Sequence, residues 1–200
     1  MSFNILLSVL LGIGFGYFIL PSGFLEYTGT IIDIGLCVLL FFVGMDLGRQ
    51  KDFFQNIKEL GYKMIFVPFG VIIGGVLGGI IGGMVLHIPL GEAAAVSSGL
   101  GWYTLSSIML ADYSNELSVL AFLVNVLREV IALIAIPFVA KHIGFIESVS
   151  MCGATAMDTS LPVISKFTDS NTTVISFVTG VISTISVPVI LPIILNILGG

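Results

Sequence analysis

The chain has 200 residues, 56% of them hydrophobic and only 10% charged, with a formal net charge of -5 and a mean hydropathy of +1.14. A soluble domain carries about a quarter charged residues, so this composition excludes a soluble enzyme or binding module and describes an all-α polytopic protein of the lipid bilayer. No basic tract suits a nucleic-acid partner, and Cys37 and Cys152, both in or beside apolar segments, do not indicate a disulfide framework.

Residues 1–48 hold the first two predicted spans. The first, residues 3–20, ends at Pro21 and carries Gly12 and Gly16 on one face; it lacks a basic leader and a cleavage site, so it reads as a retained span. The second, residues 31–47, has Asp33 and Asp46 at its two ends, where interfacial or capping roles suit them. The loop at 49–63 contains Arg49, Lys51, Lys58 and Lys63, and the positive-inside rule puts it and the N-terminus in the cytoplasm.

The third span, residues 64–86, carries Gly70, Gly74, Gly78 and Gly82 at strict i+4 spacing, with Gly75, Gly79 and Gly83 one residue on. Glycine lowers helix propensity by about 1 kcal/mol per residue, which points to a ridge on which another helix packs directly. His87 follows at the outer end as an interfacial residue, without metal-ligand spacing around it.

Residues 92–111 differ in kind. The run from Ser97 and Ser98 through Gly99, Gly101, Trp102, Tyr103 and Thr104 to Ser107 is too polar and too rich in glycine for a lipid-facing helix, so a broken or re-entrant segment is predicted. Irregular backbone at membrane depth is tolerated only where protein or a watery cavity satisfies it. A second such segment, residues 150–166, has Thr155, Asp158, Thr159 and Ser160 before Pro162. Between them lies the span 117–139, which carries Asn125, Arg128 and Glu129. At about 100° per residue these three form one polar stripe, predicted to face one place. A charge at the centre of a bilayer helix costs about 2.5 to 3.5 kcal/mol, so that place is a bundle interior or a cavity. A last span, residues 173–198, contains Pro188 and Pro192. The whole is one transport domain over residues 1–200, with about five full spans and two discontinuous or re-entrant segments. If both segments are re-entrant, they enter from opposite faces; if both span fully, they run parallel; either arrangement leaves the C-terminus outside, and the positive-inside rule prefers the first.

Broken helices near the midplane are where transporters keep their sites: half-helix N-termini face anionic groups, and freed carbonyls hold cations. Glu129 is the preferred ion-coupling carboxylate, and Asp158, in an unwound segment, its cation-binding neighbour. Asn125 and Arg128 join them from the same span. Ser98, Thr155 and Thr159 offer hydroxyls from the breaks, and Trp102 and Tyr103 wall or gate residues. No cofactor or metal pattern accompanies them; the coupling ion is a proton or sodium. A purely structural network of Asn125, Arg128 and Glu129 is the plain alternative. A cation/proton antiporter of another substrate and, far behind, an intramembrane aspartyl protease using Asp46 and Asp158 are the competing functions.

Three motifs in order, at 99–107, 121–129 and 152–162, resemble the lysine exporter LysO family. The resemblance implies export of L-lysine and related basic amino acids from the cytoplasm. It also implies a fold distantly similar to cation/proton antiporters and bile-acid symporters, with Glu129 matching an intramembrane acidic position of the family. Longer members carry a further hydrophobic N-terminal region with another acidic position, to which Asp46 does not correspond. The resemblance therefore implies a small membrane partner chain supplying those helices, or a homodimer.

Overall fold

A computed structural model describes residues 63–199 continuously, together with residue 61 and helical positions at 7, 10–12, 14–16, 18, 34, 38, 41, 42 and 45. Of residues 3–47, read as two spans, and 49–63, read as a basic loop, those positions and Lys63 alone are described, and the readings of Asp33 and Asp46 lie outside the described residues. What is described is entirely helical, without strands. Among the described residues, three helices are long and apolar enough to cross a membrane: α1 (Lys63–Leu86), α4 (Asn115–His142) and α7 (Ser170–Gly199). Between them lie four short helices, α2 (Leu90–Ser97), α3 (Tyr103–Ala111), α5 (Phe145–Ser150) and α6 (Leu161–Phe167), with a 3-10 turn over Gly153–Met157.

The 28 residues of α4 extend about 42 Å at 1.5 Å per residue. Ser114 caps its start, its hydroxyl accepting from the Leu117 amide at 3.4 Å. Glu116 in the first turn and Lys141 and His142 in the last suit the helix dipole. Its buried residues fall in two groups, Leu117, Ala121 and Asn125 on the first part, Ala132, Ile136, Pro137 and Ala140 on the second. Small side chains recurring at i+4 let another backbone come close, and each group receives a different neighbour.

The first neighbour is the α2–α3 hairpin. Ser118 donates to the Ser107 carbonyl at 2.7 Å, the Tyr103 and Phe122 rings meet edge to face, and Asn125 touches both Val96 and Gly101. Ala95 and Val96 of α2 share one core with Leu110 of α3, Leu117, Ala121 and Leu191, so the two arms fold back on each other. The second neighbour is the α5–α6 hairpin. Val149 from one arm and Ile164 from the other pack with Ala132, Ile136, Cys152 and Ala156 in a single cluster.

The hairpins enter from opposite ends. Gly83 and Gly79, toward the end of α1, lie against Ala93 and Ser97 of α2, whereas Phe66, Val67 and Gly70 near its start line a cavity with Ile146 and Glu147 of α5. Their tips meet where the Ala154 amide donates to the Leu100 carbonyl at 2.8 Å. Leu100 and Gly101 turn the first tip with φ of 48° and 100°, and Gly153 turns the second with φ of 64°. α7 closes the other side, with Gly180 against Met157 and Val187 against Leu100.

Among the described residues, the glycine ridge is packed along one of its two series. A Cβ on Gly70, Gly74, Gly78 or Gly82 meets no described atom within 4 Å. The series one residue on carries the seam, since a Cβ on Gly79 or Gly83 would run into Ser97 or Ala93, and one on Gly75 would lie 3.1 Å from Leu100. Two i+4 series offset by one residue have the same spacing, and the position of α2 decides between them.

Candidate functional site

The site is built around the meeting of the two hairpin tips. Asn125, only 1% exposed, holds the first tip from α4. Its Oδ1 accepts from the Gly101 amide at 2.8 Å, and its Nδ2 donates to the Val96 carbonyl at 3.2 Å and the Ala121 carbonyl at 2.8 Å. The broken helix leaves backbone groups without helical partners, and an amide side chain satisfies one donor and one acceptor across the gap. Asn125 is therefore a positioning residue of the first tip.

Arg128, one turn on, reaches the second tip. Its Nε donates to the Met151 carbonyl at 3.2 Å, and its terminal nitrogens lie near Gly153 and Gly75. No carboxylate among the described residues forms an ion pair with it. Arg128 and Asn125 line a cavity of about 530 Å3, whose opposite wall is the glycine face of α1 at Gly70, Gly74 and Gly78.

Glu129 does not share that cavity. It lines another, of about 340 Å3, with Asp158, Trp102, Tyr103, Thr155 and Thr159. The predicted single stripe is thus divided: Asn125 and Arg128 face one side of the crossing tips, and Glu129 faces the other. Arg128 and Glu129, being consecutive, project about 100° apart, and Asn125, which lies between them around the helix, is bonded to the first tip at that point.

In the second cavity Asp158 follows the 3-10 turn. Its Oδ1 accepts from the Thr159 amide at 2.5 Å and from the Thr159 hydroxyl at 3.3 Å. Glu129, Thr159 and Tyr103 line the same cavity as Asp158. Thr155 is held by the Cys152 carbonyl and the Ser160 hydroxyl, each at 3.0 Å. Two carboxylates in one partly enclosed space repel each other, so the cavity favours a cation or ammonium group between them.

Of the residues singled out in the sequence, Glu129, Asp158, Trp102, Tyr103, Thr155 and Thr159 are brought together, while Asn125 and Arg128 lie on the other side. Ser98 reaches neither cavity. It is fully buried, and its hydroxyl donates to the Ala95 carbonyl at 2.8 Å. Its neighbour Ser97 takes the cavity position instead. Thr104, Met157 and Thr184 complete the wall of the carboxylate cavity and were not foreseen. Thr184 sits in an otherwise apolar span, with no pattern to single it out. On the same helix the hydroxyls of Thr179 and Ser183 are buried without a hydrogen-bond partner among the described residues.

The chain is similar to known proteins along most of its length. A family model described as Lysine exporter LysO matches residues 6–195. The Lysine exporter LysO of Escherichia coli (strain K12) is 30% identical over 180 residues, which cover 90% of this chain and 60% of the relative. A Putative lysine exporter of Haemophilus influenzae (strain ATCC 51907 / DSM 11121 / KW20 / Rd) is 30% identical over 193 residues, 94% of this chain and 95% of the relative. No solved structure matches it.

Proposed function

From the premise that the chain belongs to the lysine exporter LysO family, we propose that it exports L-lysine, and related basic amino acids, from the cytoplasm in exchange for protons or sodium. The observation that carries the reading is the cavity lined by both Glu129 and Asp158, with Thr159 beside them. In this mechanism the pair holds an ammonium group of the substrate in one phase of the cycle and the coupling ion in the other. The loop at 49–63 and the N-terminus lie in the cytoplasm, the C-terminus lies outside, and the two hairpins enter from opposite faces of the cytoplasmic membrane, in an arrangement distantly like cation/proton antiporters and bile-acid symporters. A small membrane partner chain or a second copy completes the assembly.

The coupling follows from the charge of the substrate. Lysine carries one net positive charge, and moving it outward against an inside-negative potential costs about 2.3 kcal/mol per 100 mV, about fifty-fold in concentration. A uniporter would accumulate lysine. Efflux of labelled lysine from proteoliposomes, with and without an imposed pH or sodium gradient, tests the proposal. Uphill efflux driven by one of the gradients is expected; flux that only runs downhill whatever the gradient overturns the coupling, and absence of lysine flux overturns the substrate.

A further inference from the structure

One face of α7 packs against both hairpin tips. Gly180 lies against Met157 of the 3-10 turn, Ser176 donates across to the Ala156 carbonyl at 2.7 Å, and Val187 packs with Leu100 of the first tip and Ile72 of α1. Thr179 and Ser183 stand on the same face, Ser183 one turn before Val187 and Thr179 one turn before that. Both are 0% exposed, and neither hydroxyl has a hydrogen-bond partner among the described residues.

Hydroxyls above and below them on the same helix are paired: Thr173 and Ser186 turn back onto the Asp169 and Ile182 carbonyls at 2.9 and 2.7 Å. A buried hydroxyl left unpaired forfeits the hydrogen bonds it would make to water, so two of them side by side raise the energy of this packing. Alternating access supplies a reason to tolerate the cost. A surface that is wet in one state and closed in the other buries its polar groups in the closed one. Thr184, the residue after Ser183, lines the carboxylate cavity, so the unpaired hydroxyls lie about 100° around α7 from the wall of the site.

We infer that the interface between α7 and the hairpin tips, closed in this structure, is the surface that parts during transport, and that Thr179 and Ser183 line the water-filled path in the other access state. The inference rests on the export reading and deepens it, by naming the moving contact beside the site. In the closed packing the two hydroxyls favour opening, and in the open one water satisfies them. Replacing them with apolar groups of nearly the same shape stabilises the closed packing and slows the cycle.

The test has two arms, both on the full chain. In a Cys37→Ser background, native Cys152 stays buried between α4, α5 and α6 and serves as the internal zero. Thr179→Cys and Ser183→Cys, made in that background and purified in detergent, are treated with a charged thiol reagent. Each introduced thiol is expected to react about tenfold faster than Cys152 or more, because opening brings it to water. Labelling no faster than that of Cys152 overturns the inference. In the second arm, Thr179→Val and Ser183→Ala remove the hydroxyls. The melting temperature is expected to rise by about 2 to 4 °C and lysine efflux from proteoliposomes to slow by about fivefold. Efflux at the wild-type rate overturns the inference, and so does a lowered melting temperature, the mark of a hydroxyl that holds structure. Absence of lysine flux in the unaltered protein overturns instead the export reading; thiol labelling needs no substrate, so the two failures are told apart.

Discussion

Leu100 and Ala154 are joined by a backbone hydrogen bond of 2.8 Å, the point at which two helical hairpins from opposite ends of α4 touch. Around it the fold divides its polar groups: Arg128 and Asn125 on one side, Glu129 and Asp158 on the other. Neither tip is a continuous helix, and each depends on groups from outside itself to satisfy its backbone.

Gly153 is the tightest part of this contact. Its φ of 64° disfavours any residue with a Cβ, and a Cβ there would run into the Leu100 carbonyl and approach an Arg128 nitrogen to 3.1 Å. Gly153→Ala is expected to destabilise the protein by about 2 to 4 kcal/mol, the sum of left-handed strain and overpacking. Gly74→Ala, on a helical position with no described neighbour within 4 Å, is expected to do the opposite, adding up to about 1 kcal/mol. Thermal unfolding in detergent compares the two; equal melting temperatures would refute the crowding.

Asn125 offers a test in which two nearly isosteric side chains separate donor from acceptor. Asn125→Asp keeps an acceptor for the Gly101 amide but sets a carboxylate oxygen against the Val96 and Ala121 carbonyls, which now receive a hydrogen bond. Asn125→Leu leaves the Gly101 amide and the Val96 carbonyl without this partner, at about 1 to 3 kcal/mol for each buried group. Both variants are expected to lose stability, with the aspartate the worse at neutral pH. An aspartate variant as stable as the wild type would show that Asn125 does not hold the tip.

Much of this was legible in the sequence, for physical reasons that also mark its limit. Runs of apolar residues long enough to cross a bilayer set the class, and the hydroxyl- and glycine-rich runs around Gly99 and Gly153 marked the breaks because lipid tolerates neither. Rotation was harder. Arg128 and Glu129 lie within one polar stripe, but being adjacent they diverge by about 100°, and the hairpin tips wedge between them. The glycine series shows the same limit: spacing identifies two ridges, and only the side chains of Ala93 and Ser97, from another helix, select Gly79 and Gly83. Thr184 was hidden because a single hydroxyl in an apolar span satisfies itself in most helices.

Glu129→Gln and Asp158→Asn each remove one charge from the shared cavity with little change in shape. Both residues are only partly buried on the cavity wall, so the fold is expected to hold. Losing one member of a charge pair with the substrate ammonium corresponds to about 2 kcal/mol or more, and lysine efflux from proteoliposomes should fall at least about thirtyfold in each variant. Wild-type efflux from either variant would remove that residue from the mechanism.

Thr159 lines the same cavity as the two carboxylates and allows a finer test. Its hydroxyl has one hydrogen to donate and lies 3.3 Å from Asp158 Oδ1. The Thr159 amide donates to Asp158 independently, at 2.5 Å, so the aspartate stays in place when the hydroxyl is removed. Thr159→Val is therefore expected to leave the melting temperature nearly unchanged and to slow lysine efflux by about tenfold or more, the worth of one hydrogen bond to a charged group. Thr159→Ser, which keeps the hydroxyl and drops only the methyl, should restore most of the rate. The contrast between valine and serine isolates the proton donor from side-chain bulk: equal efflux from the two would mean that the hydroxyl takes no part in transport.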